Sequence, residues 1–328
     1  MGSPFHSELP DIRDGAELSA REYADVTAGS RPPERVWRYV TLFCLTLVTT
    51  TLVGTGHYAS FYLGFRSMEL PFSFWELTAR GLWYSLSILS ILGAHEFGHY
   101  YACRYYGVDA SLPYFLPVPI VLTGTLGAFI RIRQQIPTKR ALFDIGIAGP
   151  IAGFVVVIPV LMIGMYLSRV IEVPKDFDGA VYELGEPLLF RAAAWLTFGP
   201  VPEGYTVNMH PVAFAAWFGM LATTLNLFPI GQTDGGHVSY AVLGRHSTIV
   251  SFGTLLALVG LSFFSMSWIV WTVLMAAMLV FIGPRHPRTA DEHVPLDRAR
   301  MWLAGFALVM FALCFSPVPA ELVDLVAR

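Results

Sequence analysis

The sequence predicts an all-α polytopic membrane protein with about seven transmembrane helices and one small membrane-associated β-hairpin. Three observations predict this fold class. Of the 328 residues, 55% are hydrophobic and only 14% are charged, whereas a soluble domain carries roughly 25% charged residues. The apolar residues form about seven blocks, each close to the ~20 residues that a bilayer core of ~30 Å requires. Between the second and third blocks lies an apolar, proline-containing stretch that cannot continue as helix.

The elements follow one another in a simple order. Residues 1–36 are polar and mixed in charge, and we interpret them as a cytosolic tail in which neither a signal peptide nor an organelle transit peptide is expected. Residues 37–81 hold the first span and an external loop, 82–245 a membrane core of three spans with their loops, and 246–328 the C-terminal accessory spans. The predicted spans lie near residues 37–56, 82–103, 143–168, 210–228, 248–264, 267–283 and 301–318.

The distribution of basic residues predicts the orientation. With a cytosolic N-terminus, 15 of the 21 Lys and Arg residues fall on the cytosolic side, as the positive-inside rule favours. The net charge of −3 provides no overall basic field, so nucleic acid is not expected as a partner. The three cysteines show no CxxC spacing and imply neither a disulfide framework nor a thiolate metal site.

Two loops are longer than simple connectors. The acidic external loop, near 169–209, contains an apolar stretch from Leu188 to Leu196 that is suited to the membrane surface. In the other loop, 104–142, the segment Ile120–Arg133 predicts a strand hairpin turning around residues 123–125, with residues 129, 131 and 133 on one face. We expect it to dip into the cytosolic face of the membrane or lie along it; the alternative is an ordinary amphipathic loop.

The second span carries the motif that indicates chemistry. His95 and His99 are one helical turn apart on the same face, and Glu96 lies beside His99. This is the HExxH arrangement, in which two imidazoles hold zinc and the glutamate acts on water. Ionisable residues within a span are costly and are retained mainly where they function. Counting back from Arg104 places His95 about 13 Å below the cytosolic boundary. The alternative reading, helix-packing polar residues, would need partners for all three side chains.

A catalytic zinc usually takes a third protein ligand. A metzincin would need Gly and His where this chain has Ala102 and Tyr105. The strongest candidate is Asp234, which lies in a Pro- and Gly-containing turn at the end of the fourth span, on the same side as the HExxH motif. An ordinary Asp-Gly turn is the alternative reading, and His237 is the competing ligand.

These motifs together resemble the site-2 protease family of intramembrane zinc metalloproteases. The resemblance covers roughly 82–245 and includes an Asn-x-x-Pro-x-x-x-x-Asp-Gly motif that begins at Asn226. It implies one Zn²⁺ per chain held by His95, His99 and Asp234. It also implies Glu96 as the general base and Asn226 as a catalytic polar group near the substrate, although an Asn at a helix end is otherwise a common cap. Thr233 departs from the family's usual Leu, and the chain resembles the short members without a PDZ domain.

The expected function is hydrolysis of peptide bonds within or near the transmembrane segments of single-span membrane proteins, in contact with membrane lipid. We expect a bacterial cytoplasmic membrane, with the active site nearer the cytosol. The sequence does not reveal an oligomeric state. A catalytically silent scaffold or chaperone is an alternative, against which the intact Glu96 counts. A metal transporter is another, but the fifth to seventh spans are almost purely apolar.

Gly149 and Gly153 indicate close packing of two spans.

Overall fold

The fold is that of a computed structural model, which describes residues 35–66, 68–119, 122–174, 180–281, 283 and 289–324. The predicted tail, 1–36, lies outside the described residues except at its last two positions. In the described part of the chain the helices are α1 Val36–Leu63, α2 Phe74–Tyr105, α3 Lys139–Leu167, α4 Leu188–Phe198, α5 Pro211–Leu227, α6 Asp234–Leu243, α7 Ser247–Ser262, α8 Ser267–Phe281 and α9 Arg298–Cys314. A 3₁₀ turn, Gly244–His246, joins α6 to α7.

The strands are short and form three two-stranded antiparallel sheets. In chain order they are β1 Tyr114–Pro117, β2 Thr125–Phe129, β3 Arg169–Glu172, β4 Ala180–Leu184, β5 Tyr205–Asn208 and β6 Ala320–Asp324. β1 pairs with β2, β3 with β5, and β4 with β6. The predicted predominance of helix is therefore confirmed, with more strand pairing than the sequence analysis predicted.

Each of the seven predicted spans coincides largely with one helix, namely α1, α2, α3, α5, α7, α8 or α9. Within the described residues, three helices are long and apolar enough to cross a membrane: Val36–Leu63, Lys139–Leu167 and the continuous run Asp234–Ser262. The 32-residue α2 has the length, but polar residues, including the HExxH motif, interrupt its apolar sequence. These helices support membrane association, and the number seven stays a prediction.

The core of the described residues forms around α2, which packs against α1, α3 and α5. α2 begins with a capping box in which Ser73 and Glu76 bind each other's backbone N–H groups. Its inward face buries Tyr84 and Ile88 completely, in one hydrophobic cluster that also includes Phe143 of α3 and Met220 of α5. Close approach to α1 depends on Gly81, because an added Cβ would overlap the carbonyl oxygen of Thr51. The histidine-bearing helix is therefore enclosed on several sides.

The predicted hairpin is present in the loop between α2 and α3, but its position differs from the prediction. The two strands are Tyr114–Pro117 and Thr125–Phe129, so the first strand precedes the predicted segment and Thr125 begins the second strand instead of lying in the turn. Residues 120 and 121 lie outside the described part. The predicted alternation is seen at its end, where residues 129, 131 and 133 are exposed and residues 130 and 132 are half-buried. The sequence did not predict that β2 pairs with Tyr114 and Phe115, because residues 114–117 show no alternation of apolar and polar side chains.

The hairpin inserts its turn between α1 and α2. The carbonyl oxygens of Leu122, Thr123 and Gly124 accept hydrogen bonds from side chains of these two helices. The anchoring residue Tyr84 is 11 positions before His95 in α2, about 16 Å along the helix. Leu122 also contributes to a cavity of about 1380 Å³ that is bordered by β3, β5 and the ends of α1 and α9. The hairpin thus enters the bundle instead of lying along its surface.

The predicted acidic loop near 169–209 is structured where it is described. β3 pairs with β5 from Arg169↔Asn208 to Glu172↔Tyr205, and the apolar stretch at its centre forms α4. Arg169 and Asn208 donate to the last carbonyl groups of α1, which would otherwise lack partners. These strands were not predicted from the sequence, because each is four or five residues long and pairs with a distant segment.

A polar cluster joins the start of α9 to the end of α2 and the start of α3. Arg300 donates to both carboxylate oxygens of Asp144, at 2.9 and 2.5 Å, and also binds Asp297. The Tyr106 hydroxyl donates to Asp144, and burial, reinforced by this carboxylate, raises the pKa of the phenol. Bidentate pairing of this kind fixes geometry as well as adding energy, so the last long helix is attached to the core at a defined position.

Candidate metal centre

The centre begins with two imidazoles on the buried face of α2. His95 and His99 are each 7% exposed, and their Nε2 atoms lie 3.1 Å apart. This approach follows from the spacing of four residues, which places side chains one above the other on a helix. Two nitrogen donors therefore face the same point inside the bundle.

Asp234 completes a group of three ligand atoms. Its Oδ2 lies 3.1 Å from Nε2 of His95 and 3.3 Å from Nε2 of His99, and 16% of its side chain is exposed. Ligand bonds of about 2.0 Å to a tetrahedral zinc ion place neighbouring ligand atoms about 3.3 Å apart. The three distances agree with that geometry, and two imidazoles with one carboxylate are a donor set that zinc uses. The residues present therefore fit a zinc ion.

The turn between α5 and α6 brings Asp234 to this position. The sequence predicts Asp234 within a Pro- and Gly-containing loop. In the structure Asp234 is instead the first residue of α6, directly after that loop. Thr233 is the N-cap residue, since its hydroxyl accepts from the N–H of Gly236 and donates to the carbonyl groups of Phe228 and Ile230. The departure from the family's Leu at this position is thus an N-cap that positions the carboxylate, a role that the sequence analysis missed.

Small residues and one serine allow the turn to pack inside the bundle. A Cβ on Gly235 would overlap the carbonyl of Leu227, and one on Gly236 would overlap that of Gly231. Ser251 of α7 accepts from the N–H of Gly231 and donates to the carbonyl of Pro229. Non-helical backbone is tolerated inside a membrane protein only when protein or water satisfies it in this way.

α3 supports the two imidazoles from behind. Nδ1 of His99 lies 2.7 Å from the carbonyl oxygen of Ile145, so the Nδ1–H form donates there and leaves Nε2 free to bind a metal. A Cβ on Gly149 would overlap the His99 ring, and one on Gly153 would lie 3.3 Å from Cβ of His95. The predicted close packing of the two helices at these glycines is confirmed, and it occurs at the histidine rings themselves.

Glu96 and Asn226 lie beside the three ligand atoms. Glu96 is 7% exposed and accepts a hydrogen bond from the backbone N–H of Ile130, immediately after β2. Nδ2 of Asn226, near the end of α5, lies 3.2 Å from Nε2 of His95. The sequence indicated neither the Ile130 contact nor the Ile145 contact, because both are made by backbone atoms. The roles of Glu96 and Asn226 as catalytic groups stay predictions.

His237, the competing ligand, does not belong to the group. Its Cβ faces Gly146 of α3, and the metal-binding group found among the described residues consists of His95, His99 and Asp234. The spacing of three residues places His237 on the same side of α6 as Asp234, about one helical turn further along that helix.

Comparison with known proteins identifies the family. The model of peptidase family M50 matches residues 83–267, which include all three ligand residues together with Glu96 and Asn226. The chain belongs to peptidase family M50. The resemblance to the site-2 proteases drawn from the sequence motifs is therefore confirmed.

Curated relatives of this M50 chain come from plants. It is 31% identical to the probable zinc metalloprotease EGY2, chloroplastic, of Arabidopsis thaliana over 228 residues, covering 68% of this chain and 39% of the relative. It is 27% identical to EGY1 of the same plant over 342 positions, covering 97% and 60%. It is 30% identical to EGY2 of Oryza sativa subsp. indica over 257 residues, covering 76% and 46%.

The M50 chain thus spans between 39 and 60% of the length of these relatives. Each of the three is named a probable zinc metalloprotease, and the predicted zinc ion agrees with those names as well as with the donor set. No solved structure gives a significant match to the chain.

Replacing the carboxylate ligand tests the composition of the centre. We expect Asp234→Ala to lower the zinc content of purified protein from about one ion per chain to well below half after dialysis, because only two donors remain. His237→Ala is expected to keep about one ion per chain, measured by elemental analysis. Loss of zinc from His237→Ala but not from Asp234→Ala would transfer the ligand role to His237.

A second prediction concerns the glycine behind His99. The added methyl group of Gly149→Ala would displace the imidazole from its bonds, so zinc content is expected to fall below about half. The effect of Gly153→Ala should be smaller, since that contact is looser. Gly305→Ala, where an added Cβ meets nothing within 4 Å, serves as the matched control in a helix. Full zinc content in Gly149→Ala would show that the imidazole does not need this space.

Proposed function

We propose that this chain is an intramembrane zinc endopeptidase that hydrolyses peptide bonds within or near transmembrane segments of single-span membrane proteins. One observation carries the proposal. A buried glutamate lies beside three ligand atoms that come from α2 and α6, two helices more than 120 residues apart in sequence. A scaffold or chaperone would not need that carboxylate next to a complete donor set.

The chemistry follows from the roles of this chain's residues. His95, His99 and Asp234 would hold zinc, which, when bound, polarises the scissile carbonyl and makes water more acidic. Glu96 would accept the proton of the attacking water and return it to the leaving amine. The Asn226 amide, positioned beside His95, would donate to the oxygen that gains negative charge. The Ile145 carbonyl keeps His99 in the correct tautomer throughout.

We place this reaction inside the membrane. The coincidence of seven helices with the predicted spans supports a seven-span chain, and the excess of basic residues supports a cytosolic N-terminus. His99 and His95 lie about 9 and 15 Å from the end of α2 at Tyr105, so the centre is nearer the cytosolic side in that orientation. Substrates would be single-span proteins, shortened beforehand on the external side, in a bacterial cytoplasmic membrane.

A helical substrate must first unwind, because helical hydrogen bonds occupy its carbonyl groups. β2 supports a route for this step, since among the described residues it pairs with β1 alone and its other edge leads to Ile130 and Glu96. An unwound segment could add to that edge and exchange helical for sheet hydrogen bonds. Leu126 and Phe129, which are 64 and 45% exposed, would contact its side chains.

Replacing the general base tests the function. We expect Glu96→Gln to retain about one zinc per chain while its cleavage of a single-span substrate falls at least about 10³-fold, since it removes proton transfer but no ligand. The measurement compares zinc content with product formation in reconstituted vesicles. Normal cleavage by the variant, or a parent protein that holds no zinc, would rule out the proposal.

Proline substitution at Leu126, Ala128 and Phe129, one position at a time, tests the strand route. Where the N–H that proline removes faces the free edge of β2, we expect the rate of cleavage of a transmembrane substrate to fall at least about tenfold. The rate for a short soluble peptide, which is already extended, should fall less than about threefold. Because N–H groups alternate in direction, the effect should alternate with position. Equal slowing of both substrates at every position would exclude strand addition.

A further inference from the structure

The turn of the hairpin is attached to the helix bundle by three consecutive carbonyl groups. Nε2 of His57 lies 3.0 Å from the Leu122 oxygen, the Tyr84 hydroxyl donates to Thr123 at 2.9 Å, and the Thr49 hydroxyl donates to Gly124 at 2.7 Å. Each donor is a side chain of α1 or α2. Three successive backbone acceptors bound from two helices fix a turn in position much more strictly than apolar contact does, because hydrogen bonds are directional.

Gly124 brings this turn as close to α1 as the chain allows. Its φ of +73° lies in the left-handed region, and an added Cβ would lie 2.8 Å from Cα of Thr50. The turn is also closed internally, because Thr123 donates to the carbonyl of Thr125 at 2.8 Å. The position of the first residue of β2 is therefore set by the bundle and not by the hairpin alone.

The other end of β2 is attached beside the metal centre. Ile130 donates its N–H to Glu96. The next residue, Arg131, accepts at its carbonyl from the backbone N–H of Ser111 and donates its own N–H to the Ser111 hydroxyl. Between these two attachments the strand exposes Leu126 and Phe129. β2 is thus held at both ends while its middle stays available for pairing.

The position of a strand along its own axis matters because the side chains of a sheet repeat their direction every two residues. A substrate strand that slips by one residue turns its side chains to the opposite face, whereas a slip of two residues keeps the faces and differs only in position. Each residue corresponds to about 3.4 Å. The bond that reaches the three ligand atoms therefore depends on where β2 lies along α2.

We propose that Thr49, His57 and Tyr84 are positioning residues that fix β2 lengthwise against the catalytic centre and thereby select which peptide bond is cut. The inference rests on the proposed protease function and on strand addition at β2. None of the three side chains contacts the ligand atoms; they act through the hairpin turn, about three helical turns away along α2.

The test is the position of the cut. Thr49→Val and Tyr84→Phe remove one hydroxyl each at nearly constant volume, and they would be combined in a double variant of the full chain. With a single-span substrate in vesicles, we expect the share of product cut two residues from the main site to rise at least about fivefold in the double variant. The overall rate should fall about threefold to tenfold. Mass spectrometry of the products measures both.

Matched variants separate positioning from general damage. Thr49→Ser keeps the hydroxyl and should restore the parental cut position. Tyr58→Phe removes another hydroxyl of α1, one that binds Arg80 and not the hairpin, and should leave the cut unchanged. Zinc content and thermal unfolding of each variant show that the centre and the fold are intact; if the double variant does not fold, the single variants carry the comparison.

The outcomes distinguish this inference from the proposed function. A parent protein that cuts no substrate would contradict the function itself. A parent that cuts, with Thr49→Val and Tyr84→Phe cutting at the same bond and within about twofold of its rate, would overturn the positioning role alone. The same conclusion would follow if Thr49→Ser shifted the cut as much as Thr49→Val.

Discussion

The structure depends on the pairing of one partly buried carboxylate with two buried imidazoles. Asp234, His95 and His99 sit among apolar helices, where an ionisable group without a partner is costly. Their mutual contacts, at 3.1 to 3.3 Å, mean that no member can move without leaving the others unsatisfied. This constraint joins α2 to α6 across more than 120 residues of chain and determines how the turn before α6 must fold.

The surrounding backbone is arranged to meet that requirement. α3 provides a carbonyl for His99 at Ile145, and its glycines leave room for both rings. The turn at 228–233 leaves helical conformation only where Thr233 and Ser251 satisfy its polar groups. Residues whose sequence suggests only a packing or capping role therefore orient the donor atoms. A substitution at any of them would alter the geometry of the centre although the residue is not itself a ligand.

A second stretch of non-helical backbone enters the same bundle, and its carbonyl groups are likewise hydrogen-bonded to side chains of the surrounding helices. The hairpin turn places its carbonyl groups against hydroxyl and imidazole donors of α1 and α2. Its strand then passes along α2 to Glu96. α2 thus carries the two imidazoles and Glu96 near one end and an attachment for the hairpin three turns away, so under the proposed function substrate alignment and chemistry would share one rigid element.

The sequence by itself indicated the apolar blocks, their helical nature and the residues His95, Glu96, His99 and Asp234, because length, hydrophobicity and spacing are local properties; Asn226 was implied by the family resemblance. It also indicated an extended segment before α3, through the alternation of residues 129–133. Only the tertiary structure decided that β2 pairs with residues 114–117 and that the Ile145 carbonyl and the Ile130 N–H contact His99 and Glu96. These features are contacts between segments far apart in the chain, many of them through backbone atoms that every residue possesses, so no local pattern of side chains could reveal them.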